Sequence, residues 1–208
     1  MGTDGSVKNI RCISSLNIRV AHEAKGIAGA VLPYLYEEKK LCSTLLISPP
    51  GCGKTTLLRD IIRMVSDGNR LAGVGVVDER SELAGCCDGI AVNDLGMRTD
   101  ILDGCLKAAG MLMLLRSMAP DVVAVDELGD REDTIALEQV LKCGCSVLAT
   151  VHGGSYEELS RKRFLQPLLQ AGAFQRYLVL KHCDGTFFVE QVRDGDGQLL
   201  ASGLACCA

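Results

Sequence analysis

An apolar run, Thr44-Leu45-Leu46-Ile47, leads directly into Ser48-Pro49-Pro50-Gly51-Cys52-Gly53-Lys54-Thr55-Thr56, and that turn leads into the helix-prone Leu57-Leu58-Arg59-Asp60-Ile61-Ile62. A buried strand that passes through a glycine-rich turn into a helix is a β-loop-α unit. Such units belong to parallel sheets covered by helices. Gly51 and Gly53 admit backbone geometries that a side chain opposes, so successive N–H groups can face one anion. The helix that follows directs its positive end at the same point. Lys54 supplies a point charge for the β- and γ-phosphates of a nucleotide, and the Thr55 hydroxyl a ligand for Mg²⁺. Pro50, Gly51, Cys52, Gly53, Lys54, Thr55 and Thr56 are therefore expected to hold ATP. The usual pattern opens on glycine. Here Ser48 takes that place, and Pro49 and Pro50 stiffen the entry. A surface turn rich in glycine and proline is the plainer alternative, but it does not require strand, loop and helix in this order.

The rest of the chain alternates in the same way. Strands are expected at 44–47, 73–78, 121–126 and 145–151, and helices from the loop to about 66 and at 101–118, 131–142 and 155–171. An amphipathic helix is expected from Leu16 to Tyr36, ending near Pro33. Tyr177 to Lys181 and Thr186 to Val192 read as a β-hairpin turning at Asp184-Gly185. The expected fold is α/β, with a mostly parallel sheet, helices on both faces and a C-terminal β-hairpin. Residues 1–40 read as a linker and helix, 41–194 as the ATPase domain and 195–208 as a tail.

Ligands on such sheets bind beyond the carboxyl ends of the strands, and polar residues accumulate there. Val122-Val123-Ala124-Val125 ends in Asp126-Glu127. Asp126 can join Thr55 around Mg²⁺, and Glu127 can orient or deprotonate an attacking water. Val76-Val77 ends in Asp78-Glu79-Arg80-Ser81-Glu82, a second source of carboxylates for the same task. Leu148-Ala149-Thr150-Val151 ends in His152, and Thr150 and His152 could sense a terminal phosphate. Each has a bland reading: an acidic turn, a solvated loop, a structural histidine.

Composition excludes several classes. With 48% hydrophobic residues in 208, one domain with a large core is expected. Aromatic residues make up 4%, there is no Trp, and the net charge is −4, so base stacking and phosphate-backbone binding are both disfavoured. Eleven cysteines include no C-x-x-C pair, which removes zinc and thioredoxin-like readings. Their odd number, without a signal peptide, points to reduced thiols in the cytoplasm. No run approaches the ~20 apolar residues of a membrane span, so any membrane contact is expected to go through partners.

Taken in order, residues 48–56, 77–82, 122–127 and 148–153 resemble the Walker A, Asp-box, Walker B and His-box signatures of the type II and type IV secretion ATPases. The runs Ser14 to Arg19, Gly75 to Glu82 and Asn93 to Gly104 resemble a branch of that superfamily that acts in endospore formation. The likeness covers roughly residues 10 to 190, and its members usually carry a further N-terminal domain. It implies a RecA-like P-loop NTPase fold and an ATPase, converting ATP and water to ADP and phosphate, with ATP and Mg²⁺ bound. It further implies a ring, most often a hexamer, energising a channel between mother cell and forespore. The place would be the mother-cell cytoplasm, against membrane proteins of that channel. By position it makes Glu127 the Walker B glutamate and His152 the His-box histidine. Glu79 and Glu82 join Asp78 in the Asp box, and any of these could activate water, because Asp-Glu stands where many members have Glu-Asp. Arg98 and Arg116, with Arg131 and Arg80 behind them, match arginines that reach phosphates or a neighbouring subunit. The alternatives are a RecA-like ATPase directed by nucleic acid, a nucleotide-dependent scaffold with little turnover, and a small-molecule kinase.

Overall fold

The structure, a computed structural model, describes residues 12–15, 24–68, 72–183 and 186–206. A small antiparallel pair, β1 (Tyr36–Glu37) and β2 (Lys40–Leu41), precedes the main sheet. β3 (Thr44–Ser48) then enters α1 (Lys54–Asp67), followed by β4 (Val74–Asp78), β5 (Thr99–Asp103) and α2 (Lys107–Ser117). β6 (Val122–Val125), α3 (Arg131–Lys142) and β7 (Ser146–His152) come next. A short α4 (Gln166–Gln170) precedes β8 (Arg176–Cys183), β9 (Thr186–Asp194) and β10 (Leu199–Ala205).

The sheet has eight strands in the order β10-β9-β8-β3-β7-β6-β4-β5. The run from β8 to β5 is parallel throughout, while β9 and β10 close the other edge antiparallel. The fold is therefore α/β with a mostly parallel sheet and a C-terminal hairpin, as the strand pattern requires. Alternate residues serve opposite faces. Leu46, Val76, Ala124, Leu148 and Leu178 pack with Leu57, Leu58, Ile61 and Ile62 of α1. Leu45, Ile47, Val77, Val123, Val125 and Val147 pack with Met111 and Leu114 of α2 and Leu137 and Val140 of α3. Each buried Val, Leu, Ile or Met side chain contributes about 1.5–3 kcal/mol, so both faces hold the strands in register. α2 lies especially close, since a Cβ on Gly110 would fall 2.6 Å from Cγ1 of Val77.

Several expected elements take a different form. Residues 101–118 are not one helix. Ile101, Leu102 and Leu106 imitate helical spacing, but Thr99–Asp103 pairs with β4, and Gly104 at φ +63° turns the chain before α2 begins. Residues 155–171 are not one helix either. Glu157–Arg161 and Arg163–Leu165 are 3₁₀ turns, and Pro167 lies in the first turn of α4, where its missing N–H does no harm. Residues 16–23 of the helix expected from Leu16 to Tyr36 lie outside the described residues. Its described end is turns and a 3₁₀ helix, Leu32–Leu35, with Pro33 in its first turn. The Asp184-Gly185 turn also lies outside the described residues. Leu199–Ala205, read as tail, is a strand joined to β9 through Asp196-Gly197, where Gly197 has φ +80°. Among the described residues no helix is long and apolar enough to cross a membrane.

Candidate functional site

The parallel strands all end at one edge of the sheet, so β3, β4, β6 and β7 deliver their last residues to the same place. Ser48 at the end of β3 pairs with His152 at the end of β7, and Val125 of β6 pairs with Val77 of β4. The loop after β3 begins at this edge. Gly51 and Gly53 both occupy the left-handed region, at φ +76° and +73°. Among the described residues the amide N–H groups of Gly51 to Thr56 donate to no acceptor in the protein; the first loop-to-helix bond is from the Leu57 N–H to the Gly53 carbonyl. The donors of a loop and a helix N-terminus are thus free for an anion. Gly53 is also held from outside. A Cβ there would fall 2.5 Å from Cδ1 of Phe187 on β9, so the aromatic ring rests on the glycine.

The carboxylates after β6 are fixed by neighbours. Thr55 at the start of α1 donates its hydroxyl to Asp126 at 2.6 Å, and the Thr150 hydroxyl of β7 donates to the other Asp126 oxygen. Thr150 also accepts from the Glu127 N–H at 2.8 Å. Glu127 has φ +57°, uncommon for a residue with a side chain, and its position is set by this bond and by the Leu128 N–H on the Thr150 carbonyl. The Glu127 carboxylate lies between two donors: Nε2 of His152 at 2.9 Å and the Arg80 guanidinium at 2.8 Å. The Lys54 ammonium lies within 3.0 and 3.1 Å of the two His152 ring nitrogens. With Nε2–H donating to Glu127, Nδ1 is the ring nitrogen left to accept from Lys54, and the approach of Lys54 to Nε2 is then a contact between donors and not a hydrogen bond. Burial acts to raise the Glu127 carboxyl, but Lys54, Arg80 and His152 outweigh it and hold the carboxyl below its usual range. Thr55 and Asp126 offer hard oxygen donors to a cation such as Mg²⁺, and Glu127 is a carboxylate beside them.

The carboxylates after β4 divide into different roles. Asp78 is buried and accepts the N–H groups of Glu82, Leu83 and Ala84 at 2.9, 2.9 and 2.7 Å. Burial pushes its carboxyl above the usual range, against the pull of those amides. Arg59 of α1 grips the same loop through the carbonyls of Leu83 and Glu82, at 2.8 and 2.7 Å. Asp78 therefore shapes the loop. Glu79 is ion-paired with Lys107 of α2, and the exposed Glu82 lines a small recess with Glu79, Arg80, Lys107, Asp126 and Glu127.

The structure thus gathers Lys54, Thr55, Asp126, Glu127, His152, Glu79 and Glu82 at one edge, around the loop from Pro50 to Thr56. Arg98 and Arg116 are not part of that group. Arg98 precedes β5, and its guanidinium donates to the Ser66 carbonyl at 2.6 Å, near the far end of α1. That is about 18 Å from the first residue of the helix at 1.5 Å per residue. Arg116 is exposed in the last turn of α2, also at the opposite edge. Arg131, by contrast, starts α3 just beyond β6, on the loop's side of the sheet. Arg59, Lys107 and Phe187 bear on the site without any local pattern to announce them, because each acts on residues distant in the chain.

A β-loop-α phosphate loop feeding a parallel sheet, with two carboxylates and a histidine at neighbouring strand ends, defines the P-loop ATPase fold. Solved structures agree. The ATPase DotB of Legionella pneumophila superposes with a TM-score of 0.58 at 18% identity, over 81% of this chain and 48% of that one. The VirB11 ATPase of the Brucella suis type IV secretion system, solved with sulphate, gives 0.57 at 14% identity, over 82% and 51%. This chain spans about half of each. The chain belongs to the family described as sporulation stage III, protein AA, whose model matches residues 3–200. It is 46% identical over 209 residues to the stage III sporulation protein AA of Bacillus subtilis (strain 168), covering 98% of this chain and 68% of that protein.

Proposed function

We propose that this chain binds ATP with Mg²⁺ and hydrolyses it to ADP and phosphate. It would do so as one subunit of a hexameric ring, and the work would energise a mother cell–forespore channel during sporulation. The observation that carries the reading is the convergence of free loop amides, Lys54, the Thr55–Asp126 pair and Glu127 on one edge of the sheet. The amides of Gly51 to Thr56 and Lys54 would bind the phosphates of the substrate. Thr55 and Asp126 would hold the cation, which supplies charge neutralisation at the phosphates. Glu127 would take one proton from water as the water oxygen bonds to the terminal phosphorus and the bond to the departing ADP oxygen breaks. His152 links Lys54 to Glu127 and so connects phosphate binding with the base. Arg98 and Arg116, placed away from their own loop, would serve only by reaching a neighbouring subunit. Membrane proteins of the channel would be the partners, and the mother-cell cytoplasm the location.

Lys54→Ala is expected to abolish binding of a fluorescent ATP analogue followed by titration; retained affinity would refute the site. Gly53→Ala meets both the Phe187 ring and an unfavourable φ, and should weaken the same binding by about tenfold or more. Unchanged affinity in that variant would show that the loop does not need its present shape.

A further inference from the structure

Both oxygens of the proposed base are covered. His152 approaches one and Arg80 the other, at 2.9 and 2.8 Å, on a residue whose backbone is already fixed by Thr150. The two donors differ in kind. His152 is tied to Lys54 and so belongs to the phosphate-binding machinery. Among the described residues the Arg80 side chain bonds to no other group, and it is 60% exposed. Its backbone has little freedom. On one side Asp78 collects the amides of residues 82 to 84, and on the other Ser81, at φ +54°, donates its hydroxyl to Asp103 at 2.6 Å. The guanidinium can therefore leave Glu127 by rotation of its side chain alone, with the loop in place. An ion pair this open to water is weak, so a competing anion suffices to part it.

We propose that Arg80 is a brake on Glu127: it covers the carboxylate oxygen in the resting site and must swing away before Glu127 can receive a proton from water. Arg80 is a positioning residue in this scheme, acting through Glu127. The proposal rests on the ATPase reading, and it assigns Arg80 a role opposite to that of an arginine that stabilises the transferring phosphoryl group. The terminal phosphate of the substrate is the anion that competes for the guanidinium, so the brake is released by the occupant of the site.

Two measurements on the whole chain test it. In the nucleotide-free protein, a water-soluble carbodiimide should modify Glu127 faster in Arg80→Ala than in the wild type, read by peptide mass spectrometry. With ATP and Mg²⁺, the same variant should turn over about fivefold faster with KM changed less than about twofold, the effect of losing one surface ion pair. Arg80→Lys, which keeps a cation, should restore both values toward the wild type. Labelling at the wild-type rate overturns the proposal, because the carboxylate would not have been covered. Turnover that is unchanged or lower also overturns it; a fall would make Arg80 a helper of the reaction. The ATPase reading is judged separately, by whether Glu127→Gln abolishes the hydrolysis seen in the wild type. It survives either failure.

Discussion

Glu127→Gln is expected to leave ATP binding intact and to slow phosphate release by roughly 10²–10⁴-fold, the range for loss of a general base. The side chain keeps its size, and the backbone bond to Thr150 does not depend on the carboxylate. Phosphate release measured across a protein concentration series, with the variant beside the wild type, checks both the base and the ring. Turnover per subunit that rises with concentration and vanishes in the variant supports a ring working through Glu127. Full turnover in the variant would transfer the role to the loop after β4. There Glu79 is held by Lys107 and Glu82 is exposed, so Glu82 would become the candidate.

Asp78→Ala should cost the fold more than it costs the chemistry. Three N–H groups, two of them buried, lose their acceptor, and unpaired buried donors carry a penalty of about 1–3 kcal/mol each before relaxation. A loss of about 3 kcal/mol is expected in urea unfolding. Asp78→Asn retains one good acceptor oxygen but presents an amide donor to the N–H groups, so its loss should fall between the two. If Asp78→Asn abolishes hydrolysis while stability stays at the wild-type value, Asp78 acts in the reaction and not as the keystone of its loop.

The parts legible in the sequence are those whose pattern is local. The strand, loop and helix around residues 44–66 announce themselves through apolar runs and two glycines, and Arg131–Lys142 has an N-cap in Asp130 and a clear amphipathic period. Asp126, Glu127 and His152 were found because polar residues ending apolar strands gather at one edge. The misreadings have local causes too. β5 is an edge strand with mixed burial, so its Ile101-Leu102 pair lacks the buried run that marks β4 and β6. β10 is rich in alanine and glycine and weak in strand propensity, and only Asp196-Gly197 signals its hairpin. Roles were less legible than positions. Nothing in Asp78-Glu79 says that the first carboxylate shapes a loop while the second pairs with a helix 28 residues on. That division depends on Arg59, Lys107 and the amides that tertiary structure brings to them.

Because the Phe187 ring rests on Gly53, the loop and β9 share a contact that any shift of the loop has to disturb. β9 is bonded along its length to β8 on one side and β10 on the other, so the ring is mounted on a strand braced from both sides. The antiparallel margin of the sheet is thus a buttress for the phosphate loop, contributed by strands far from it in the chain.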